Sequence, residues 1–212
     1  MSGKSPAERL GRRPKAEAAE RPAKRPSAPR QAPRQVRIIG GQWRKSVLPV
    51  ADKPGLRPTP DRVRETLFNW LGQDLNGWRV LDAFAGSGAL GFEAASRGAA
   101  AVLLLEQDPE LVTSLLASRM RLKADMLRVQ RADALAWMKT AAPDSWELVL
   151  LDPPFTAGLA SAAVTAAARL VVPNGFVYLE AGEAFEGPLP PGLVVYRSGR
   201  AGAVYSTLFQ RL

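Results

Sequence analysis

The sequence predicts an α/β fold: a mostly parallel sheet covered by helices on both faces. Three observations predict it. From Trp78 onward, short apolar runs alternate with longer amphipathic stretches, the pattern of successive strand–helix units. Gly86, Gly88 and Gly91 follow the first of these strands and open a helix, satisfying G-x-G-x-x-G in the context that gives the pattern meaning. Finally, the apolar run Leu148–Leu151 stops abruptly at Asp152-Pro153-Pro154-Phe155. Proline lacks the N–H that a sheet ladder needs, so this reads as a buried central strand closed by a stiff turn.

The elements follow in order. Residues 1–34 carry Pro6, Pro14, Pro22, Pro26, Pro29 and Pro33 among Lys, Arg, Ala and Glu. Such a segment cannot bury enough surface to offset its ordering entropy, so a disordered basic tail is expected. Val36–Ile39, the Gly40-Gly41 pair and Trp43–Val50 read as a β-hairpin. Residues 53–60 form an irregular loop, because Pro54, Gly55, Pro58 and Pro60 oppose helix. A helix is predicted over 61–71, capped by Thr59 or Asp61, with Val63, Leu67, Trp70 and Leu71 as its buried stripe. Arg62 and Glu65 fall away from that stripe, and Arg64 lies beside it.

Strands are predicted near 78–83, 101–106, 126–131, 146–151, 174–181, 192–198 and 203–211. Helices fall near 88–97, 108–122, 134–140 and 158–170. The short link between the last two strands, with Gly199 and Gly202, requires them to be antiparallel neighbours. Three parts are expected: the tail (1–34), a hairpin-and-helix extension (35–72) and the main domain (73–212).

Composition narrows the chemistry. The chain of 212 residues has no Cys and no His. That removes disulfides, thiolate metal sites, a Cys nucleophile and the usual general base. That fits a reaction needing positioning more than proton abstraction, and no metal is expected. No apolar run approaches the roughly 20 residues that span a bilayer. Charge is uneven: residues 1–37 hold 11 Lys/Arg against 3 acids, 38–64 hold 6 against 2, and 65–212 hold 12 against 15. A basic N-terminal third on a slightly acidic body suits a polyanion, most simply nucleic acid.

Glu106, at the end of the second main-domain strand, follows the glycine loop by roughly 20 residues, where a carboxylate meets ribose hydroxyls. A dinucleotide and the adenosine of S-adenosylmethionine both fit that arrangement. Asp82, four residues before Gly86, favours the second, since it can order the loop and face a methionine ammonium group. Asp133 can accept a hydrogen bond from the adenine amine; it can also cap the helix at 134–140. Asp152, the Pro153 carbonyl and the Phe155 ring, at a strand's C-terminal edge, suit a planar base carrying an exocyclic amine. An ordinary strand-ending turn is the plainer alternative.

Leu81–Gly91 with Glu106, Asp133 and Asp152–Phe155 resembles the class I S-adenosylmethionine-dependent methyltransferases of the amino-group type. The chain is more closely similar to the bacterial 16S (small-subunit) rRNA guanine-N2 methyltransferases. Arg37-Ile-Ile-Gly-Gly-Gln-Trp-Arg44, the block Gly55-Leu-Arg-Pro-Thr-Pro-Asp-Arg-Val-Arg-Glu-Thr-Leu-Phe-Asn-Trp70 and the terminal Arg200–Arg211 carry that similarity. It covers about residues 36–212.

The resemblance implies a Rossmann-like, seven-stranded sheet with an antiparallel C-terminal strand, preceded by a hairpin and helix. It implies methylation of a guanine N2 amine in 16S rRNA, free or in the small ribosomal subunit, by a cytoplasmic monomer. Asp82, Phe84, Gly86, Gly88, Glu106, Asp133 and Ala134 would hold the cofactor, and Asp152, Pro153 and Phe155 the base. Arg37, Arg44, Lys45, Arg57, Arg62 and Arg64 are candidate RNA phosphate contacts. A DNA adenine-N6 methyltransferase shares the glycine and Asp-Pro-Pro-aromatic motifs but lacks support here from any target-recognition domain. A nicotinamide oxidoreductase leaves Asp-Pro-Pro-Phe unexplained. A non-catalytic RNA-binding or ribosome-assembly protein on the same scaffold leaves the intact Gly86, Gly88, Glu106 and Asp152 without a task.

Overall fold

The computed structural model describes residues 35–53, 59–154 and 158–212. The expected tail, Arg57 and Phe155 lie outside the described residues.

Strands β1 (Gln35–Arg37) and β2 (Val47–Pro49) pair antiparallel, and helix α1 (Asp61–Trp70) follows. The main body runs β3 (Arg79–Asp82), α2 (Ala89–Ser96), β4 (Ala101–Glu106), α3 (Pro109–Leu122), β5 (Leu127–Arg131), α4 (Ala134–Thr140) and β6 (Trp146–Leu151). It ends with α5 (Leu159–Ala168), β7 (Val171–Ala181), β8 (Leu193–Ala201) and β9 (Val204–Arg211). The seven strands from β3 onward form one sheet in the order β5-β4-β3-β6-β7-β9-β8. β3 to β7 pair in parallel, whereas β9 pairs antiparallel with both β7 and β8. Among the described residues no helix is long and apolar enough to cross a membrane.

Alternation along each strand sends side chains to two cores. Val80, Leu148, Leu150, Tyr178 and Leu208 face a cluster completed by the hairpin, α1 and α2. Leu81, Val149, Leu151, Leu179 and Phe209 face the cluster under α4 and α5. The hairpin residues Val36, Ile38 and Leu48 belong to the first cluster, so the N-terminal extension shares its core with the sheet.

Three local expectations need correction. The hairpin strands have three residues each, and Trp43 sits in the loop between them. The Gly40-Gly41 pair is not a tight hairpin turn; it is where that loop presses on the end of α2. Gln42 donates to the Ser96 carbonyl (2.8 Å) and Trp43 to the Ser96 hydroxyl (2.9 Å). A Cβ on Gly41, whose φ is +70°, would stand 1.7 Å from that carbonyl. Helix α1 is entered from Pro60 with no side-chain cap, so neither Thr59 nor Asp61 caps it. Its buried face includes Phe68 and Arg64 beside Val63 and Leu67, while Trp70 is half-buried. Strand β7 starts earlier than expected, at Val171, because a register shift against β6 accommodates Pro173 and Asn174 (φ 65°).

Candidate active site

Parallel strands leave their C-terminal ends at one edge, and ligands bind there where the strand order reverses. Here β3 leads to β4 on one side and has β6 on the other. Four strands of the sheet end on a carboxylate or run directly into one: Asp82, Glu106, Asp152 and, one residue before the end of β7, Glu180. A cavity of about 470 Å³ opens above this edge, within the range of small-molecule sites. Asp82, Glu106, Asp133 and Asp152 all line it. No Lys or Arg does so among the described residues.

The glycine loop is fixed by the acids. Glu106 accepts from the Gly86 N–H (2.9 Å) through one oxygen and from the Asp108 N–H (2.8 Å) through the other. Each oxygen keeps a lone pair for a ligand hydroxyl. Asp82, 1% exposed, accepts from the Gly91 N–H at 2.9 Å. Burial pushes its carboxyl up to about 7, against the pull of the Gly91 and Phe84 N–H groups; the nearby Asp152 and Glu106 raise it further. A Cβ at Gly91 would meet Leu104 at 2.1 Å and Asp82 at 3.0 Å, so this glycine lets α2 lie against the sheet.

Gly88 requires a correction. It is buried and absent from the cavity wall. Its N–H is used by the Ala85 carbonyl, and a Cβ there would clash with Leu115 and Phe92 at 2.7 Å. Its φ of +79° starts α2. It shapes the loop from behind, while Gly86 and Ser87 present backbone to the cavity.

Phe84 and Ala134 also line the cavity. Asp133 both lines it and caps α4, accepting from the Ala136 N–H at 2.8 Å. Asp152 and Pro153 form the wall beside the loop, joined by Pro154 and Leu159. Burial raises the Asp152 carboxyl to about 7.

The set of wall residues discriminates between ligands. A pyrophosphate would face four carboxylates and no described cation, which is unfavourable in a partly dry site. A ligand carrying an ammonium and a sulfonium matches the same wall. S-Adenosylmethionine therefore fits these residues.

Arg64 is the largest departure from expectation. It is 0% exposed and cannot reach RNA phosphate. Its guanidinium donates to Glu93 (3.1 Å), Asp61 (2.6 Å) and the carbonyls of Arg37 (2.9 Å) and Thr59 (3.2 Å). Glu93, on α2 and also 0% exposed, accepts in addition from Arg97 and from the Ile39 and Gly40 N–H groups (2.8 Å each). This hub ties hairpin, α1 and glycine-loop helix together. A lone acid in the apolar run Ala89–Ala95 was the available clue to Glu93. Arg37, Arg44, Lys45 and Arg62 are exposed.

Comparison with known proteins agrees with this architecture. The family model described as "Conserved hypothetical protein 95" matches residues 36–210. The ribosomal RNA small subunit methyltransferase D of Escherichia coli (strain K12) is 43% identical over 185 residues, covering 84% of this chain and 90% of that one. Its counterpart from Haemophilus influenzae is 42% identical over 151 residues, covering 69% and 78%. The solved structure of yhhF from Escherichia coli superposes with a TM-score of 0.74 at 41% identity, covering 84% of this chain and 98% of the other.

Proposed function

The chain belongs to the conserved hypothetical protein 95 family, and from that membership and its site we propose that it methylates a guanine N2 amine of small-subunit ribosomal RNA. The observation that carries this reading is one cavity wall shared by Asp82, Glu106 and Asp152. It joins a nucleoside-holding loop to an acceptor suited to an amine. The relatives named as small-subunit rRNA methyltransferases supply the substrate class.

Bound in this cavity, S-adenosylmethionine supplies a methyl group activated on sulfonium. Glu106 holds the ribose hydroxyls, Asp133 the adenine amine, and Asp82 fixes the loop and faces the ammonium group. Asp152 and the Pro153 carbonyl accept the two N–H bonds of the guanine amine. That draws the nitrogen toward pyramidal geometry and aims its lone pair at the methyl. Reacting atoms held about 3–3.5 Å apart account for much of the rate gain. The amine becomes acidic only as it is methylated, so no strong base is needed. Phe155 is the candidate stacking partner for a base swung out of its helix or loop.

The test is incubation with labelled methyl donor and unmethylated small subunits, followed by nucleoside mapping. Label in N2-methylguanosine is expected. Label in N6-methyladenosine would reassign the base, and no label would leave a binding protein.

Arg37, Arg44, Lys45 and Arg62 are proposed to meet RNA phosphates. Each neutralising substitution is then expected to reduce the slope of log affinity against log salt by about 0.7–0.9. Arg64→Met should leave that slope unchanged while lowering the melting temperature. Slopes equal across all five variants would remove these side chains from the RNA surface.

A further inference from the structure

We propose that Asp152 and Glu180 act as a carboxyl pair holding one negative charge, with protonated Glu180 positioning ionised Asp152 for the amine. The inference rests on the methyl-transfer reading above and adds a residue that this reading leaves unused.

The sheet register places the two acids side by side. Leu150 pairs with Tyr178 and Leu151 with Leu179. β6 ends at Leu151, so Asp152 is the next residue along that register and its charge acts on Glu180, which pairs in turn with Ser206 on β9. Glu180 is 2% exposed and does not line the cavity, whereas Asp152 does. The Tyr178 hydroxyl donates to Glu180 at 3.0 Å and lies 3.0 Å from the Ser206 hydroxyl. Thr59 also lies near enough to Glu180 to act on its carboxyl. Thr59 is itself a cavity-wall residue, and its carbonyl is held by Arg64.

The groups facing Glu180 are Asp152 from β6, Asp82 from β3, Tyr178 on its own strand, and the uncharged hydroxyls of Ser206 and Thr59. No Lys or Arg forms an ion pair with Glu180 or Asp152 among the described residues. Two adjoining carboxylates in such a place do not both ionise at neutral pH. Burial first, then the Asp152 charge, hold the Glu180 carboxyl well above its ordinary range. The charge belongs on Asp152, which lines the cavity where a ligand cation would meet it, and the proton on Glu180, which is sealed from that cavity.

The pair also closes the proton balance. Transfer forms the N–CH3 bond and breaks the S–CH3 bond, whose electron pair stays on sulfur. The methylated nitrogen sheds a proton to Asp152, leaving the pair with two protons and no charge. One proton returns to solvent as product leaves.

The test is single-turnover methyl transfer to unmethylated small subunits across about pH 5.5–9.5, with donor affinity and melting temperature measured beside it. Glu180→Gln keeps a neutral donor in place. Its rate is expected to stay within about threefold of the unaltered enzyme at neutral pH, and to lack that enzyme's alkaline fall, which is the second ionisation of the pair. Glu180→Ala should lose about 10²-fold at every pH. Tyr178→Phe, by removing a donor to the carboxylate, should move the alkaline fall upward. A Glu180→Gln profile superimposable on that of the unaltered enzyme would overturn the proposal, as would a loss equal to that of Glu180→Ala in a variant that melts normally. Absence of transfer by the unaltered enzyme would overturn the methyl-transfer reading instead.

Discussion

Asp152→Ala is expected to lower the methyl-transfer rate by about 10³-fold or more while leaving donor affinity within a few-fold, because it removes an acceptor aligned with the reacting amine. The residue stands on the cavity wall, outside the ring of hydrogen bonds that fixes the glycine loop. That ring consists of Glu106 to Gly86 and Asp82 to Gly91. Single-turnover kinetics and equilibrium titration of the donor separate the two quantities. Equal loss of both would reassign Asp152 to donor binding or to folding.

The same carboxyl sets the acid side of the pH profile. Its ionised form is the strong acceptor for the amine and can take up the released proton, and burial raises the carboxyl to about 7. Transfer in the unaltered enzyme should therefore fall as pH drops through about 7, with the sulfonium ligand drawing the midpoint lower. Asp152→Asn should abolish that acid limb, along with most of the activity.

Glu93→Ala is expected to cost about 3–5 kcal/mol of folding stability, because removing one member of a buried ion network strands the others without compensation. Two guanidiniums, those of Arg64 (0% exposed) and Arg97 (9% exposed), lose their shared anion. The Ile39 and Gly40 N–H groups lose their acceptor as well. For a chain of this size that corresponds to a melting-temperature drop of roughly 10 °C. Replacing Arg64, Glu93 and Arg97 together with apolar residues of similar volume should recover much of the loss, since no charge is then left buried alone. Thermal melts of the single and triple variants check this. A single variant that melts with the unaltered protein would show that water reaches the hub.

The sequence made the sheet legible because its signals are local. Strand β4 at 101–106 and strand β6 at 146–151 have the expected bounds, since each is a mostly apolar run that ends at an acid. Helix α3 begins at Pro109 behind Asp108, whose side chain accepts from the Glu110 and Leu111 N–H groups, and both residues announce a helix start. The site was legible for a similar reason. Asp82, Glu106, Asp133 and Asp152 each stand where a strand ends, and parallel strands bring such ends to one edge.

What failed were mainly roles set by side-chain contacts between distant helices and loops. Arg64 reads as a surface cation, because a charged residue is exposed unless a partner is known. Its partner Glu93 is 29 positions away on another helix. Gly88 reads as part of a cofactor loop, because the pattern cannot reveal that its Cα faces Leu115 from α3.

By itself, then, the sequence determined the order of elements, the parallel sheet and the acids at its edge. Periodicity and turn chemistry act within a few residues of themselves. Only the tertiary structure decided which charges meet solvent and which meet each other. Burial and pairing depend on neighbours that the chain brings together only on folding, and the same arginine is a phosphate contact outside that core and an ion-pair hub within it.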